Sequence, residues 1–320
     1  MSLIEQATKR LEELSRAGVA VPWAQTGLTA PTSKARVAQE TGANGVHRGV
    51  ADDAQPPASP EGVHVLPGAA RRLAPLEPAP TIEIDLEALQ RGGFLTPDAK
   101  RSVLAEEMRH VKRALLRNMT QPPQPTEISP ALILVTSAVP GEGKTFSAIN
   151  LALSLAVEID TSVVLVDADF LRPNVLDRLG VRREARGLLD ALADPDLDPA
   201  QLVLATNLPK LSILPTGTAH PRAAELLSST GMDRLLLALT EAHPGRVVIF
   251  DAPPLLVTAA GAALAARMGQ VLMVVEAGRT SRHLVAQAFA AVEHCPIVLA
   301  VLNKTSGGGI GGYGYGDYYG

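Results

Sequence analysis

Residues 137–153 read SAVPGEGKTFSAINLAL. Gly141, Gly143, Lys144 and Thr145 stand between an apolar run and an amphipathic one. A loop in that place turns backbone N–H groups and a helix N-terminus toward an anion. With Lys144 reaching for β- and γ-phosphates and the Thr145 hydroxyl for Mg²⁺, the stretch reads as a phosphate-binding loop. It departs from G-x-x-x-x-G-K-[ST] at one place, Ala138, where the first glycine would be. Two acidic clusters follow. Asp167 and Asp169 close VDADFLRP, where i and i+2 share a strand face; Asp251 closes VVIFD in VVIFDAPP. A lone strand-end aspartate most simply caps a helix. Three of them after a phosphate loop suit a hard cation held by carboxylates, phosphates and water.

The chain ends GGYGYGDYYG, and its four tyrosines, Tyr313, Tyr315, Tyr318 and Tyr319, all lie there. A glycine-rich tail has no core to join, so it is expected to stay mobile. A phenol with a pKa near 10 needs a base or a metal to lose its proton as it attacks phosphorus. An aspartate beside the loop could serve, which would connect the tail to the site.

Those side chains need a scaffold. ALILVT, SVVLVD, LSILPTG, RVVIFD, QVLMVVE and PIVLAVLN are short β-branched runs without polar alternation, as in strands buried on both faces of a parallel sheet. Helical segments such as FSAINLALSLAVEI and RHLVAQAFAAVEH separate them. The expected fold is α/β: an open, doubly wound, mostly parallel sheet with ligands at the strands' carboxyl ends. Before it, TIEIDLEALQRGGFLTPDAK reads as a short extended or helical piece stopped by Gly92 and Gly93. A helix over SVLAEEMRHVKRALLRNM should bury Val103, Met108, Val111, Leu115 and Leu116. Glu106, Arg109 and Lys112, three apart, fall on a second face that spacing alone reads as solvated.

The remaining composition sets limits. The chain has 320 residues, a net charge of −4 and 3% aromatics, which disfavours a nucleic-acid binder. A single cysteine, Cys295, excludes an internal disulfide, fits a reducing cytoplasm and reads as a core filler. No apolar run approaches a membrane span. Residues 1–18 read as an amphipathic helix, docked on its own domain or free to bind a partner. Residues 19–80, rich in Pro, Ala, Gly and Thr, read as a disordered linker. The catalytic domain is expected over 81–306, including a helix over 98–119, and the flexible tail over 307–320.

PGEGKT, VDADFLRP and IFDAPP together resemble the Walker A, A′ and B motifs of bacterial tyrosine autokinases, P-loop NTPases related to MinD/ParA-type ATPases. EEMRHVK resembles that family's E-x-x-R-x-x-R oligomerisation motif, with Lys112 in the last place. The opening MSLIEQATKRLEEL and the linker resemble the exosortase-associated branch. The resemblance implies an ATP- and Mg²⁺-dependent kinase of its own tail tyrosines, acting on a neighbour in a homo-oligomeric ring and regulating exopolysaccharide biosynthesis and export. Pro140, Gly141, Glu142, Gly143, Lys144, Thr145 and Phe146 would bind the nucleotide, with Asn303 at its base. Lys144, Asp167 and Asp169 would be catalytic; Thr145, Asp167, Asp169 and Asp251 would hold the metal. Tyr313, Tyr315, Tyr318 and Tyr319 would be the acceptors, and Glu106, Arg109 and Lys112 the oligomer contacts. A membrane-embedded chain-length regulator would activate the kinase and hold it, cytoplasmic, at the inner membrane. Two positions depart from the pattern: Arg172, one residue late, and Arg222, where an asparagine is common. The competing readings are a MinD/ParA-like ATPase switch, which commonly has an extra lysine early in its loop, and a nucleotide-binding scaffold.

Overall fold

The computed structural model describes residues 81–97, 102–120, 128–181, 184–241 and 245–305. The expected N-terminal helix, the linker, the start of the 98–119 helix and the four tail tyrosines lie outside the described residues.

The element order is β1 (Thr81–Ile82), α1 (Leu86–Arg91), α2 (Val103–Asn118), β2 (Leu132–Ser137), α3 (Lys144–Ala156), β3 (Ser162–Asp167) and α4 (Val175–Arg178). There follow α5 (Leu188–Ala193), a 3₁₀ turn (Pro199–Leu202), β4 (Leu204–Thr206), β5 (Leu211–Leu214), α6 (Ala223–Leu227) and α7 (Thr230–Glu241). The last elements are β6 (Arg246–Asp251), α8 (Ala259–Ala265), β7 (Gln270–Glu276), α9 (Arg282–Ala291) and β8 (Ile297–Asn303). The eight strands form one sheet in the order β1-β4-β5-β3-β6-β2-β7-β8. Neighbours are parallel except β4 and β5, so β1 and β4 run against the other six.

The apolar runs of β2, β3, β6 and β7 are buried on both faces, as their lack of alternation predicts. The run of β8 predicts the same, but β8 lies at the sheet's edge and is only partly covered, with Leu302 61% exposed. Leu132 and Leu134 of β2, Val164 and Val166 of β3, and Val248 and Phe250 of β6 pack with α5, α6, α7, α8 and α9. The intervening Ile133, Val135, Val163, Leu165, Val247 and Ile249 pack with α1, α2, α3 and α4. The sheet is thus doubly wound. Each fully buried Leu, Ile or Phe contributes roughly 1.5–3 kcal/mol, and dozens are shared between the layers. Helix starts follow local chemistry: Asp85, Ser102, Thr258 and Ser281 each accept an N–H from the first turn of the helix they precede. Gly92 and Gly93 end α1 as expected, Gly93 with φ 77°.

Three other expectations need adjusting. Val103 is 67% exposed, while Met108 and Leu115 carry the buried face of α2; Val103 is the helix's first residue, a turn away from the core. Lys112 does not project with Glu106 and Arg109. Its ammonium pairs with Glu158 Oε1 at 2.6 Å and donates to the Ser154 carbonyl at 2.9 Å, at the C-terminal end of α3. Glu106 and Arg109 pair with each other on the exposed side. Strands β1 and β4, two and three residues long, carry no periodic signal. They are held by geometry: Asn207 bonds both the N–H and the carbonyl of Ile84. Cys295 is buried, its thiol near the Met268 and Ile297 carbonyls. Among the described residues no helix is long and apolar enough to cross a membrane.

Candidate active site

The adjacent strands β3, β6 and β2 deliver the site from their carboxyl ends. Asp167 and Asp251 are register partners across β3 and β6, and Asp251 is followed by APP, whose Pro253 carbonyl accepts the Thr136 hydroxyl. β2 runs into the loop 138–143, and α3 begins at Lys144. Strand β2 separates β6 from β7, so the chain reverses its direction of travel across the sheet there, where open α/β sheets bind ligands. Gly141 (φ 91°) and Gly143 (φ 99°) take the left-handed backbone the loop requires. A Cβ on Gly143 would stand 2.1 Å from Asn303 Nδ2, so the position is also closed by contact.

Lys144 is the electrostatic centre. Its Nζ lies 2.5 Å from Asp169 Oδ2, 3.8 Å from Asp251 Oδ1 and 3.3 Å from Thr145 Oγ1. Asp251 is fully buried, and neither carboxylate oxygen has a hydrogen-bond partner. Its pKa is raised to about 7: burial dominates and the Asp167 and Asp169 charges add to it, against the pull of Lys144 and the Thr145 hydroxyl. Burial also raises the Asp167 pKa, against the hydrogen bonds it accepts from the N–H groups of Val175 and Asn174. Those two amides, 3.0 Å away, both reach Oδ2. Asp167 therefore holds the start of α4, the capping role open to any strand-end aspartate. Its Oδ1 keeps one long contact, 3.3 Å, from the Asp169 N–H.

The three carboxylates lie close but do not form a cage. Among the described residues no three Asp, Glu, His or Cys side chains form a ready metal-binding cluster. The reason is geometric: one Asp167 oxygen is turned to α4, and Lys144 stands beside the other two acids. The arrangement still fits a magnesium-bound triphosphate. Asp251 offers a buried carboxylate with no hydrogen bond to either oxygen, Thr145 a hydroxyl and Lys144 a cation, and Mg²⁺ takes one or two carboxylates with phosphate and water.

Two residues expected at the nucleotide are otherwise engaged. The ring of Phe146 packs on Phe94, 4.9 Å between centroids. The Glu142 side chain is buried, 1% exposed, and turns inward. It accepts the Val139 N–H at 2.8 Å, the Glu276 N–H at 3.2 Å and the Thr280 hydroxyl, tying the loop to the end of β7. Glu142→Ala leaves two part-buried N–H groups and the Thr280 hydroxyl without this acceptor. It is expected to destabilise the protein by about 2–3 kcal/mol, a fall of roughly 5–10 °C in thermal midpoint for a domain this size, measurable by scanning calorimetry. Asn303 Nδ2 donates to the Glu142 carbonyl at 2.8 Å, so in this structure it braces the loop. Lys304, which sequence reasoning passed over, reaches the Gly141 carbonyl; an isolated lysine after a strand gives no signal. Beside Asp167 opens a cleft of about 610 Å³, bordered by Asn174, Asp177, Arg186 and Thr216.

A parallel sheet with this loop, lysine and strand-end acids defines a P-loop NTPase. No protein-family model matches the chain. Over 185 residues it is 34% identical to the tyrosine-protein kinase YwqD of Bacillus subtilis, covering 57% of this chain and 76% of that protein. Over 251 residues, 73% of this chain, it is 30% identical to the succinoglycan biosynthesis transport protein ExoP of Rhizobium meliloti, of which it spans 30%. Its fold matches the kinase domain of VpsO with a TM-score of 0.52 and 27% identity, covering 62% of this chain and 94% of that one. The chain belongs to the bacterial tyrosine-protein kinase family, and it is a protein-tyrosine kinase.

Proposed function

We propose that the chain transfers the γ-phosphoryl group of ATP to the tyrosines of its own C-terminus, one molecule acting on another, and thereby regulates exopolysaccharide assembly. The observation that carries the site is Lys144 at the head of α3, set 2.5 Å from Asp169 and 3.8 Å from the buried Asp251, whose oxygens have this cation beside them but no hydrogen bond. The magnesium complex of ATP supplies the transferable phosphoryl group. The backbone of residues 140–145 holds its phosphates, and Thr145, Asp251 and Asp169 hold the metal. Lys144 keeps positive charge where negative charge builds during transfer, which is most of what such a reaction needs. Asp167 takes the tyrosine proton on Oδ1, the oxygen not committed to α4. A carboxylate with a raised pKa is a better acceptor for a phenol proton than an ordinary one.

The acceptors are Tyr313, Tyr315, Tyr318 and Tyr319, the only tyrosines in the chain. Each phosphate adds about −1.5 to −2 charges, and several beside Asp317 would repel one another and loosen a ring held by docked tails. The exposed Glu106–Arg109 pair on α2 is offered to the neighbouring subunit, with Lys112 fixing the helix beneath it. Succinoglycan appears in the name of ExoP, a protein much longer than this chain, which supports a polysaccharide role. A membrane-embedded chain-length regulator is the fitting activator, and would hold this chain at the inner membrane.

Purified protein incubated with ATP and Mg²⁺ should become tyrosine-phosphorylated, and replacing all four tyrosines by Phe should remove the signal. Mixing Lys144→Met, which keeps its tail, with the four-Phe protein, which keeps its site, should restore phosphotyrosine on the Lys144→Met chain. Mass spectrometry of the separated chains reads this directly. Failure of the mixture while the parent phosphorylates itself would place the reaction within one molecule. ATP turnover without phosphotyrosine would favour a switch.

A further inference from the structure

A phosphate loop works only if its N–H groups face the ligand. Within one peptide plane the carbonyl of residue i and the N–H of i+1 point in opposite directions. Fixing a carbonyl on the outside of the loop therefore aims the next N–H inward. Glycines flank these planes, and Gly141 and Gly143 give little resistance to a peptide flip. Something outside the loop must hold the carbonyls.

Two consecutive residues at the end of β8 do so. Asn303 Nδ2 donates to the Glu142 carbonyl at 2.8 Å, which sets the Gly143 N–H. Lys304 Nζ donates to the Gly141 carbonyl at 2.7 Å, which sets the Glu142 N–H. The same ammonium pairs with Glu276 Oε2 at 3.1 Å, at the end of β7. Lys304 takes a left-handed backbone (φ 56°), the one non-glycine residue to do so among the described residues. Lysine adopts that conformation only where other contacts hold it, and its ammonium makes two.

We propose that Lys304 is a positioning residue of the nucleotide site: with Glu276 as its counter-ion, it holds the Gly141 carbonyl outward so that the Glu142 amide faces the phosphates. The inference rests on the nucleotide site proposed above. It also sets this lysine apart from Lys144, because its bonds go to the protein and its side chain is half exposed, at 45%.

Equilibrium binding of the fluorescent analogue mant-ATP with Mg²⁺ tests it. Lys304→Ala should weaken binding about tenfold, the effect of one charge-assisted hydrogen bond. Lys304→Arg should bind within about twofold of the parent, since it keeps a cationic donor. Glu276→Gln, which keeps the Gly141 bond and loses the counter-ion, should weaken binding about two- to threefold. Thermal midpoints of the two Lys304 variants should stay within about 2 °C of the parent, because the lysine is half exposed. Lys304→Ala binding as tightly as the parent, or Lys304→Arg binding as poorly as Lys304→Ala, would overturn the inference. Should Lys304→Ala lose its fold, Glu276→Gln decides, and parental affinity there overturns it. A parent that binds no mant-ATP refutes the nucleotide site itself, and the inference falls with it.

Discussion

Asp251→Asn is expected to abolish phosphotyrosine formation and yet make the nucleotide-free protein more stable above neutral pH. Asp251 is sealed at the end of β6 with no hydrogen bond to either oxygen, and its pKa is lifted to about 7. In the unfolded chain the same carboxyl titrates near 4. Below pH 4 it is protonated in both states and its ionisation has no effect. Between pH 4 and 7 the folded protein binds the extra proton, so stability falls as pH rises. Above pH 7 the full penalty applies, a difference of about three pK units or roughly 4 kcal/mol. An asparagine carries no such term, and Lys144 keeps its closer partner Asp169. In buffer free of metal and nucleotide, the variant should melt higher than the parent by up to about 10 °C at pH 8. The gain should vanish by pH 4. Equal midpoints at pH 8 would show that the buried charge has a compensating partner. The loss of activity follows from the role proposed above for the same carboxylate, as a ligand of the metal.

Lys144→Met should have the opposite sign in stability and a larger effect on rate. Phosphoryl transfer depends on positioned charge, and losing a cation at the transferred group costs on the order of 10³-fold. Quantitative phosphotyrosine blotting over a time course measures this, with the four-Phe protein as baseline. The variant also leaves Asp169 and Asp251 without their cation. Breaking a buried pair by removing one partner costs about 3–5 kcal/mol, so the midpoint at pH 8 should fall. That deficit should shrink toward pH 5, where Asp251, its pKa raised to about 7, takes up a proton and no longer needs the cation. A variant as stable as the parent at pH 8 would mean that the 2.5 Å contact with Asp169 contributes nothing to the fold.

The sequence showed the sheet where its strands were long and apolar throughout. β2, β3, β6, β7 and β8 announce themselves as unbroken β-branched runs, and β5 lies within the shorter run LSILPTG. β1 and β4 do not, because two or three residues cannot display a period and tertiary bonds from Asn207 decide their conformation. The loop and the strand-end Asp167 and Asp251 were legible from spacing; Asp169 lies two residues beyond the end of β3, so strand alternation does not place it. The direction each carboxylate takes was not legible. Asp167 is claimed by the amides of α4, and nothing in VDADFLRP distinguishes a cap from a ligand. The inward turn of the Glu142 side chain and the loop contact of Lys304 were not legible, because Glu276 and Thr280 in the one case and Gly141 in the other lie more than 130 residues away in the chain.

Lys112 has a mechanical consequence. Helix α3 runs thirteen residues from Lys144 to Ala156, a stiff rod of about 20 Å. One end carries the phosphate-site lysine. At the other, α2 is bolted on through Lys112, while Gln270, wedged at the foot of β7, grips α2 near its own end through Leu115 and Asn118. With two fasteners so placed, α2 is unable to swing as an independent arm, and a load applied to its outer side is borne by the same rod that presents Lys144.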